Sequence, residues 1–366
     1  MESVLEGFFG ANIFISLFSS GFLQYLWGMI NTLQIIVLSA LFDLNEPINA
    51  EEVTLMILKL CSLDFMQTEE IYEVFGFRET EAFNSEANFE GEIESKYDNA
   101  GYDSSNFFLL IGPILLIVVS AIVYTVCKLV TKLIVRPCGD NFCTRFFRRR
   151  IEFSAITIRF LLESSFELGL SAMITVKMMS SENFDTFWES VSTSCAFVTL
   201  VCLSIAPLAL IRITKTYVGE VLGMQDETQH RHYEMLGSYR PNRRSMLYSI
   251  VFFLRRYTVI LVLTMLPGNA LAQILTTMLS TMVVIAYVGG IRPHANSNVN
   301  RQEIINEITV LVASYPLLFF TKWVWDMDMR LNAGWFLIAC IILNCLFNMT
   351  ILLFAMLWAY KKKLKF

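Results

Sequence analysis

Histidine and catalytic signature motifs are scarce in this chain, and each shortage argues against a class of function. The three histidines, His230, His232 and His294, all fall in polar segments outside the long apolar runs. A haem held inside a bilayer by paired histidines is therefore disfavoured. The sequence has no HExxH, no GxSxG and no phosphate-binding glycine loop. We accordingly expect a protein that is not an enzyme and that holds no cofactor.

Cysteine is also rare in the acidic segment, which is the part of the chain where a disulfide-bonded domain would be expected. Only Cys61 lies in the acidic segment 43–105, so no disulfide framework is expected there. Cys138 and Cys143 lack sequence neighbours that could complete a metal site. Asp326 and Asp328 form a second weak candidate, and the sequence leaves any metal site unassigned.

Apolar residues, in contrast, are abundant. They make up 55% of the 366 residues, with 30 phenylalanines and a mean hydropathy of +0.53. This composition predicts an all-α, polytopic transmembrane helical bundle of about eight spans. The spans are predicted at about 8–41, 106–135, 151–176, 191–213, 246–266, 270–289, 304–325 and 334–360. The first run is one long tilted helix or a pair of helices broken near residues 19–21.

Charge is distributed unevenly and predicts the topology. Segment 43–105 carries 16 acidic and three basic residues, a net charge of −13, which leaves the remainder at +8. By the positive-inside rule, the basic loops and the tail 361–366 are cytoplasmic and the acidic segment is extracellular. The domains expected are the N-terminus and first run (1–42), the acidic extracellular loop (43–105), a seven-helix membrane bundle (106–360) and the basic tail. The plasma membrane is the expected location, with the C-terminus in the cytoplasm.

The acidic loop begins with one recognisable helical pattern. Residues 51–66 place Val53, Met56, Ile57, Leu60 and Leu63 at helical spacing. We expect a short amphipathic helix that lies on the membrane or on the bundle, with these residues on its apolar face.

The third span, 151–176, carries the most unusual pattern of the chain. Glu152, Arg159, Glu163 and Glu167 fall within an arc of roughly 80° on a helix. A charge at mid-membrane costs on the order of 3 kcal/mol, so this stripe faces protein or water rather than lipid. It is either an internal ion-pair network, the interpretation that we favour, or part of a path for cations or protons.

Two further groups of ionisable residues accompany the stripe. Arg255 and Arg256 lie in the fifth span, where pairing with an acidic partner is favoured over voltage sensing, and Glu163 is the predicted partner. Glu303 and Glu307 are predicted in the first turns of the seventh helix, where they would favour the positive end of the helix dipole. Glu307 could also line a cytoplasmic mouth. The candidate site residues are Arg159, Glu163, Glu167, Arg255, Arg256 and Glu307.

Several stretches resemble a family of ciliate multi-pass surface proteins. The stretches are LWGMINTLQII at 26–36, FGFRETEAFN at 75–84, GYDSSNFF at 101–108 and RFLLESSFELGLS at 159–171. The resemblance runs from about residue 8 to the C-terminus. Such proteins are described as having a C-terminal membrane domain like that of transient receptor potential (TRP) channels. The resemblance implies a TRP-like helical module, although no selectivity-filter sequence is recognisable.

Three functions remain open from the sequence. The first is a cation channel subunit, and the alternative is a non-conducting membrane anchor, receptor or scaffold module. A secondary transporter is a third, although no convincing internal repeat is present. The expected partners are the lipid bilayer, further copies of the chain and cations, without nucleic acid.

Overall fold

The protein is an all-α helical bundle, as the apolar runs predict. A computed structural model describes residues 20–61, 164–177, 187–221 and 238–363, together with positions 97, 100, 102, 106–108, 110 and 111. Within these residues no β-strand forms, and the pairing of Tyr239 with His294 is an isolated antiparallel bridge. The helices are α1 Ser20–Val37, α2 Ile48–Cys61, α3 Ser165–Lys177, α4 Phe187–Val221, α5 Tyr248–Met265, α6 Ala270–Ile291, α7 Ser297–Ser314 and α8 Met327–Lys363.

Five stretches in the described part of the chain are long and apolar enough to cross a bilayer. They are Ser190–Gly219, Arg243–Met265, Ala270–Ile291, Ser297–Phe320 and Met327–Ala355. They correspond to the predicted fourth to eighth spans. Most of the second span and the first part of the third lie outside the described residues, so the count of about eight stays a prediction.

Helix α1 occupies the centre of the bundle. It contacts α2, α7 and α8, and its side chains from Trp27 to Val37 are buried or half-buried on every side. A 3₁₀ turn, Leu38–Leu41, continues it and is also buried. The residues before Ser20, which would decide between one helix and a pair, lie outside the described part.

Helix α4 lies at the periphery. Only 17% of the residues in its most apolar 18-residue window are buried, and large side chains such as Val201 and Leu208 are exposed. Pro207 lies inside this helix, which is continuous from Phe187 to Val221. Exposed apolar side chains of this kind are expected to face lipid.

The start of the seventh span was predicted too late. Helix α7 begins at Ser297, seven residues before the predicted start, and the Asn296 side chain caps it by accepting from the Asn298 N–H at 2.9 Å. Its first two turns are rich in asparagine and glutamine, so they look like a loop in the sequence. Pro316 then ends the α-helix and begins a 3₁₀ turn, Pro316–Phe320.

The short helix after the first run exists, but its buried face was also wrong. Helix α2 packs on α1 and α8 and buries Ala50, Thr54, Leu58 and Cys61. The predicted apolar residues that the structure describes, among them Val53, are only half-buried, and Leu63 lies outside the described residues. The buried set is one helical position away, because a small alanine and a threonine bonded to the Ala50 carbonyl allow close approach to the bundle.

A tight turn joins α5 to α6. Gly268 adopts φ of 81° between α5 and α6, a conformation that glycine accommodates without a steric penalty. Asn269 then caps α6 by accepting from the Ala272 N–H at 3.2 Å. Residues 267–269 therefore form the tight turn between the predicted fifth and sixth spans.

Candidate functional site: a buried polar layer

A layer of polar side chains crosses the interior of the bundle. Helix α1 contributes Asn31 and Gln34, α5 contributes two arginines, and α7 and α8 contribute amides at four-residue spacing. Four-residue spacing places side chains on one face of a helix. The amides of α7 therefore share one face of that helix, as do those of α8. These amides, Gln34 and both arginines are buried, where lipid cannot reach them.

Arg255 and Glu307 form the charged centre of the layer. Arg255 Nη1 donates to Glu307 Oε1, and Arg255 Nη2 donates to Thr281 Oγ1 at 3.1 Å. The two charged side chains are 3% and 7% exposed, and Arg255 lies near the middle of the span Arg243–Met265. Removing either partner would leave a buried charge without its counterion.

This ion pair corrects two expectations. Glu307 was predicted in the first turns of its helix as a dipole-favoured carboxylate, but it lies ten residues after Ser297 and pairs with Arg255. Glu163 was predicted as the partner of Arg255 or Arg256, and for Arg255 the partner is Glu307. The error came from the late start assigned to α7, because that start placed Glu307 at the membrane surface.

Arg256 binds the central helix. Its Nη2 donates to Asn31 Oδ1 and to Gln34 Oε1, the latter at 2.7 Å. The guanidinium also lies over the rings of Phe252 and Phe166, 4.4 Å and 5.5 Å from their centroids. Cation–π contacts of this kind gain strength where water is excluded.

Gln34 connects Arg256 to helix α2. The Gln34 Nε2 donates to the Cys61 carbonyl at 2.9 Å, at the end of α2. One side chain of the central helix therefore links α5 to α2. An amide can do so because it carries both an acceptor and a donor.

A cluster of four amides links α1, α7 and α8. Asn306 donates to the Gly28 carbonyl at 3.3 Å and accepts from Asn344 at 3.1 Å and Asn348 at 2.9 Å. Gln302 donates to Asn348 at 2.6 Å and to the Tyr25 carbonyl at 3.2 Å. Asn306 is 1% exposed within the bundle.

Sequence reasoning missed this cluster, although a signal was present. The pair 344/348 places two amides at four-residue spacing inside an apolar run, and the pair 302/306 repeats that spacing in the polar first part of α7. Asn348 also belongs to the sequon Asn-Met-Thr, which lies within the predicted eighth span. Its side chain is buried in the cluster, and this position is inaccessible to a glycan in the folded protein.

Of the predicted stripe in the third span, Glu167 is the member that the described residues include. It is 4% exposed and accepts from the Tyr102 hydroxyl at 2.7 Å. Arg159 and Glu163 lie outside the described residues. Helices α3 and α5 do pack together, since a Cβ on Gly169 would lie 3.1 Å from Ile260 Cδ1. The predicted pairing of Glu163 with Arg256 stays a prediction.

The layer offers polar atoms but no assembled metal site. Across the described residues, no group of three or more histidine, cysteine, aspartate or glutamate side chains could hold a metal ion. Asp326, a weak metal candidate in the sequence, instead accepts from the Asp328 and Met329 N–H groups at the start of α8. Glu307 Oε2 and Arg255 Nε are buried without a hydrogen-bond partner, as at positions where buried water is common.

The arrangement can therefore hold helices together more readily than it can transfer a group. No protein-family model, curated protein or solved structure matches this chain. The residues themselves carry the functional argument, and the resemblance to ciliate surface proteins stays a prediction.

Proposed function

We propose that this chain is a multi-pass membrane protein that acts as a non-conducting anchor, receptor or scaffold module. The single observation that supports this proposal is the pairing of Arg255 with Glu307 inside one protomer. Both belong to the candidate site residues named from the sequence, and Glu307 was also a candidate for lining a cytoplasmic mouth. A selectivity site needs charges or carbonyls that face permeating ions.

The neighbouring amides support the same proposal. Asn306 donates to α1 and accepts from α8, and Gln34 accepts from α5 and donates to α2. An ion crossing this layer would have to displace these hydrogen bonds while charges are buried around it. We propose that the layer stabilises the bundle and that the protein performs no catalysis.

Recording from the purified protein in planar bilayers tests the proposal. We expect wild-type currents indistinguishable from those of protein-free bilayers, and we expect Glu307→Gln to lower thermal stability without creating a current. Cation currents in the wild type whose ion selectivity changes in Glu307→Gln would contradict it, because they would place Glu307 in the conducting path.

A second candidate is a TRP-like cation channel subunit of the ciliate family described above. The observation that favours it is the exposure of α4, whose apolar surface further copies of the chain could cover. Conduction would then run between protomers at a symmetry axis. Currents that appear only in an oligomeric fraction, with selectivity unchanged by Glu307→Gln, would support this candidate over the first.

We propose further that the basic end of the bundle is cytoplasmic and that the protein resides in the plasma membrane. The argument is the positive-inside rule, with the acidic segment outside and the C-terminus inside. Cysteines introduced at Asn298 and Asp328, which are exposed at opposite ends, can be labelled in intact cells with an impermeant maleimide. Labelling at Asp328→Cys alone is the expected result, and labelling at Asn298→Cys alone would reverse the topology.

A further inference from the structure

Five exposed arginines gather at one end of the bundle. Helix α6 ends there, α7 begins there, and the segment 238–244 leads into α5. Between residues 238 and 303 the sequence contains one acidic residue, Glu303, and its carboxylate accepts from the Tyr248 hydroxyl. The members of this arginine surface are Arg240, Arg243, Arg244, Arg292 and Arg301.

Hydrogen bonds between the two polar connections hold this surface in place. The Arg240 N–H donates to the Pro293 carbonyl at 2.9 Å, and the Ala295 N–H donates to the Ser238 carbonyl at 3.0 Å. The Tyr287 hydroxyl donates to the Arg244 carbonyl. The arginines thus project from a fixed backbone rather than from a loose loop.

Their guanidinium groups are not used by the fold. Within the described residues, none of the five side chains makes a hydrogen bond or an ion pair. At the opposite end, by contrast, Lys322 pairs with Asp43 at 3.2 Å and Arg330 donates to the Val324 carbonyl. Five unpaired cations on a fixed surface favour binding of an external anion.

Arg292 gives an independent reason to assign a role to these side chains. It ends α6 in the left-handed conformation, with φ of 51°, and it is the one non-glycine residue with positive φ in the described part of the chain. Glycine is the usual residue at such a position, because a Cβ is strained there. A residue kept in an unfavourable conformation at an exposed site suggests that its side chain is needed.

We propose that the arginine surface binds the phosphate-bearing headgroups of anionic phospholipids in the adjoining leaflet. Guanidinium groups donate in a planar fork that matches phosphate oxygens. Clusters of four to eight basic residues next to membrane spans are typical of anionic-lipid recognition. The surface lies at the ends of the spans Arg243–Met265 and Ala270–Ile291. When these spans cross a bilayer, their ends are expected at the depth of the headgroups.

That the adjoining leaflet is the cytoplasmic one rests on the orientation proposed above. The following test does not depend on that orientation. The purified protein is titrated with phosphatidylserine in mixed micelles of a neutral detergent, where both ends are accessible, and its melting temperature is followed. Phosphatidylcholine and inorganic phosphate are the parallel titrations. We expect a rise in melting temperature with phosphatidylserine that salt weakens, and little change in the other two titrations.

The double variant Arg243→Gln/Arg301→Gln should raise the half-maximal phosphatidylserine concentration by about 25-fold, at about fivefold for each charge. Its matched control is Lys59→Gln/Lys322→Gln at the other end of the bundle, which should respond as the wild type does. An equal loss of response in both variants would overturn the proposal. So would a full response of the wild type to inorganic phosphate or to phosphatidylcholine.

Arg292 allows a sharper separation of folding from binding. Arg292→Gly removes the charge and relieves the left-handed strain, so its melting temperature in neutral micelles should equal or exceed that of the wild type. Its response to phosphatidylserine should nevertheless weaken, and Arg292→Lys should retain most of it. A wild-type response in Arg292→Gly would show that Arg292 does not contribute to binding and would contradict its assignment.

Discussion

Helices α1 and α4 are both apolar, yet they occupy opposite environments. The central helix α1 carries Asn31, Thr32 and Gln34 and is enclosed by protein, whereas the longer α4 exposes most of its surface. The helix with amide side chains along its apolar stretch is therefore the inner one. In a soluble protein the order would be reversed, since apolar side chains would be the ones withdrawn from solvent.

The bilayer explains this reversal. Lipid tails are as apolar as leucine, so an apolar side chain gains little by moving from lipid into the protein. A polar side chain avoids a large penalty by the same move. The amides and arginines therefore determine which helix is central, and α4, which has no amide or charged side chain between residues 190 and 211, remains outside.

The largest expected effect is at the charged pair beside α1. Glu307→Gln leaves Arg255 buried without its counterion and should destabilise the protein by about 3–5 kcal/mol. Thermal unfolding in detergent measures the loss, with Ile308→Ala on the exposed face of the same helix as the control. The double variant Arg255→Met/Glu307→Leu should be more stable than Glu307→Gln. A double variant that is less stable than Glu307→Gln would show that the interaction between Arg255 and Glu307 stabilises the protein by more than the burial of the two charges costs.

The same substitution in the two helices tests the comparison directly. Leu33 in α1 is 1% exposed and Leu208 in α4 is 66% exposed. Leu33→Ala should cost about 2–3 kcal/mol, because it leaves a cavity among packed helices. Leu208→Ala should cost less than about 0.5 kcal/mol. Equal losses in reversible unfolding would mean that α4 packs against something in the purified protein, such as a second copy.

The amide cluster should give an intermediate effect. Asn306→Ala removes hydrogen bonds to Gly28, Asn344 and Asn348 and should cost about 1–2 kcal/mol, at about 0.6 kcal/mol for each bond within a membrane. Thr309→Ala is the control, because its hydroxyl bonds only to the Ile305 carbonyl on an exposed part of α7. Unfolding in mild detergent distinguishes the two. An unchanged stability in Asn306→Ala would show that the cluster is redundant.

The smallest effect should depend on pH. Burial raises the pKa of the Cys61 thiol, with further contributions from Cys345 and Glu167. A raised pKa in the folded state means that the unfolded state loses its proton first, so stability falls as pH rises above about 8.5. Between pH 9 and 10 the loss should approach about 1.4 kcal/mol. Cys61→Ala should remove this component, whereas Cys202→Ala on the exposed surface of α4 should retain it.

The spans could be predicted from sequence because long apolar runs have few alternatives. The predicted fourth, fifth, sixth and eighth spans correspond to helices in the structure. The beginning of α7 could not be predicted, because Asn298, Asn300 and Gln302 have the composition of a loop. That they form a helix depends on packing against neighbouring helices, which the sequence of this segment does not show. The buried face of α2 was predicted wrongly for a related reason. Close approach between helices favours small residues over large apolar ones.

The site was predictable only as a set of residue types. Charges within apolar runs must be buried, so Arg255 and Arg256 could be identified as interior groups from the sequence. Their partners depend on which helices are neighbours, and the sequence does not state this. Glu307 and Asn31 are 52 and 225 residues away from the arginines that they bind.

Helix α8 also has a mechanical consequence. It runs for 37 residues without proline, a length of about 55 Å, against a hydrocarbon core of about 30 Å. Near its beginning, a Cβ on Gly334 would lie 2.6 Å from Asn49 Oδ1, and Asn49 also donates to the Leu331 carbonyl. The acidic segment is therefore attached through α2 to one end of a stiff rod. A displacement of that segment would be transmitted along the rod to the opposite side of the membrane, because no joint along it could absorb the movement.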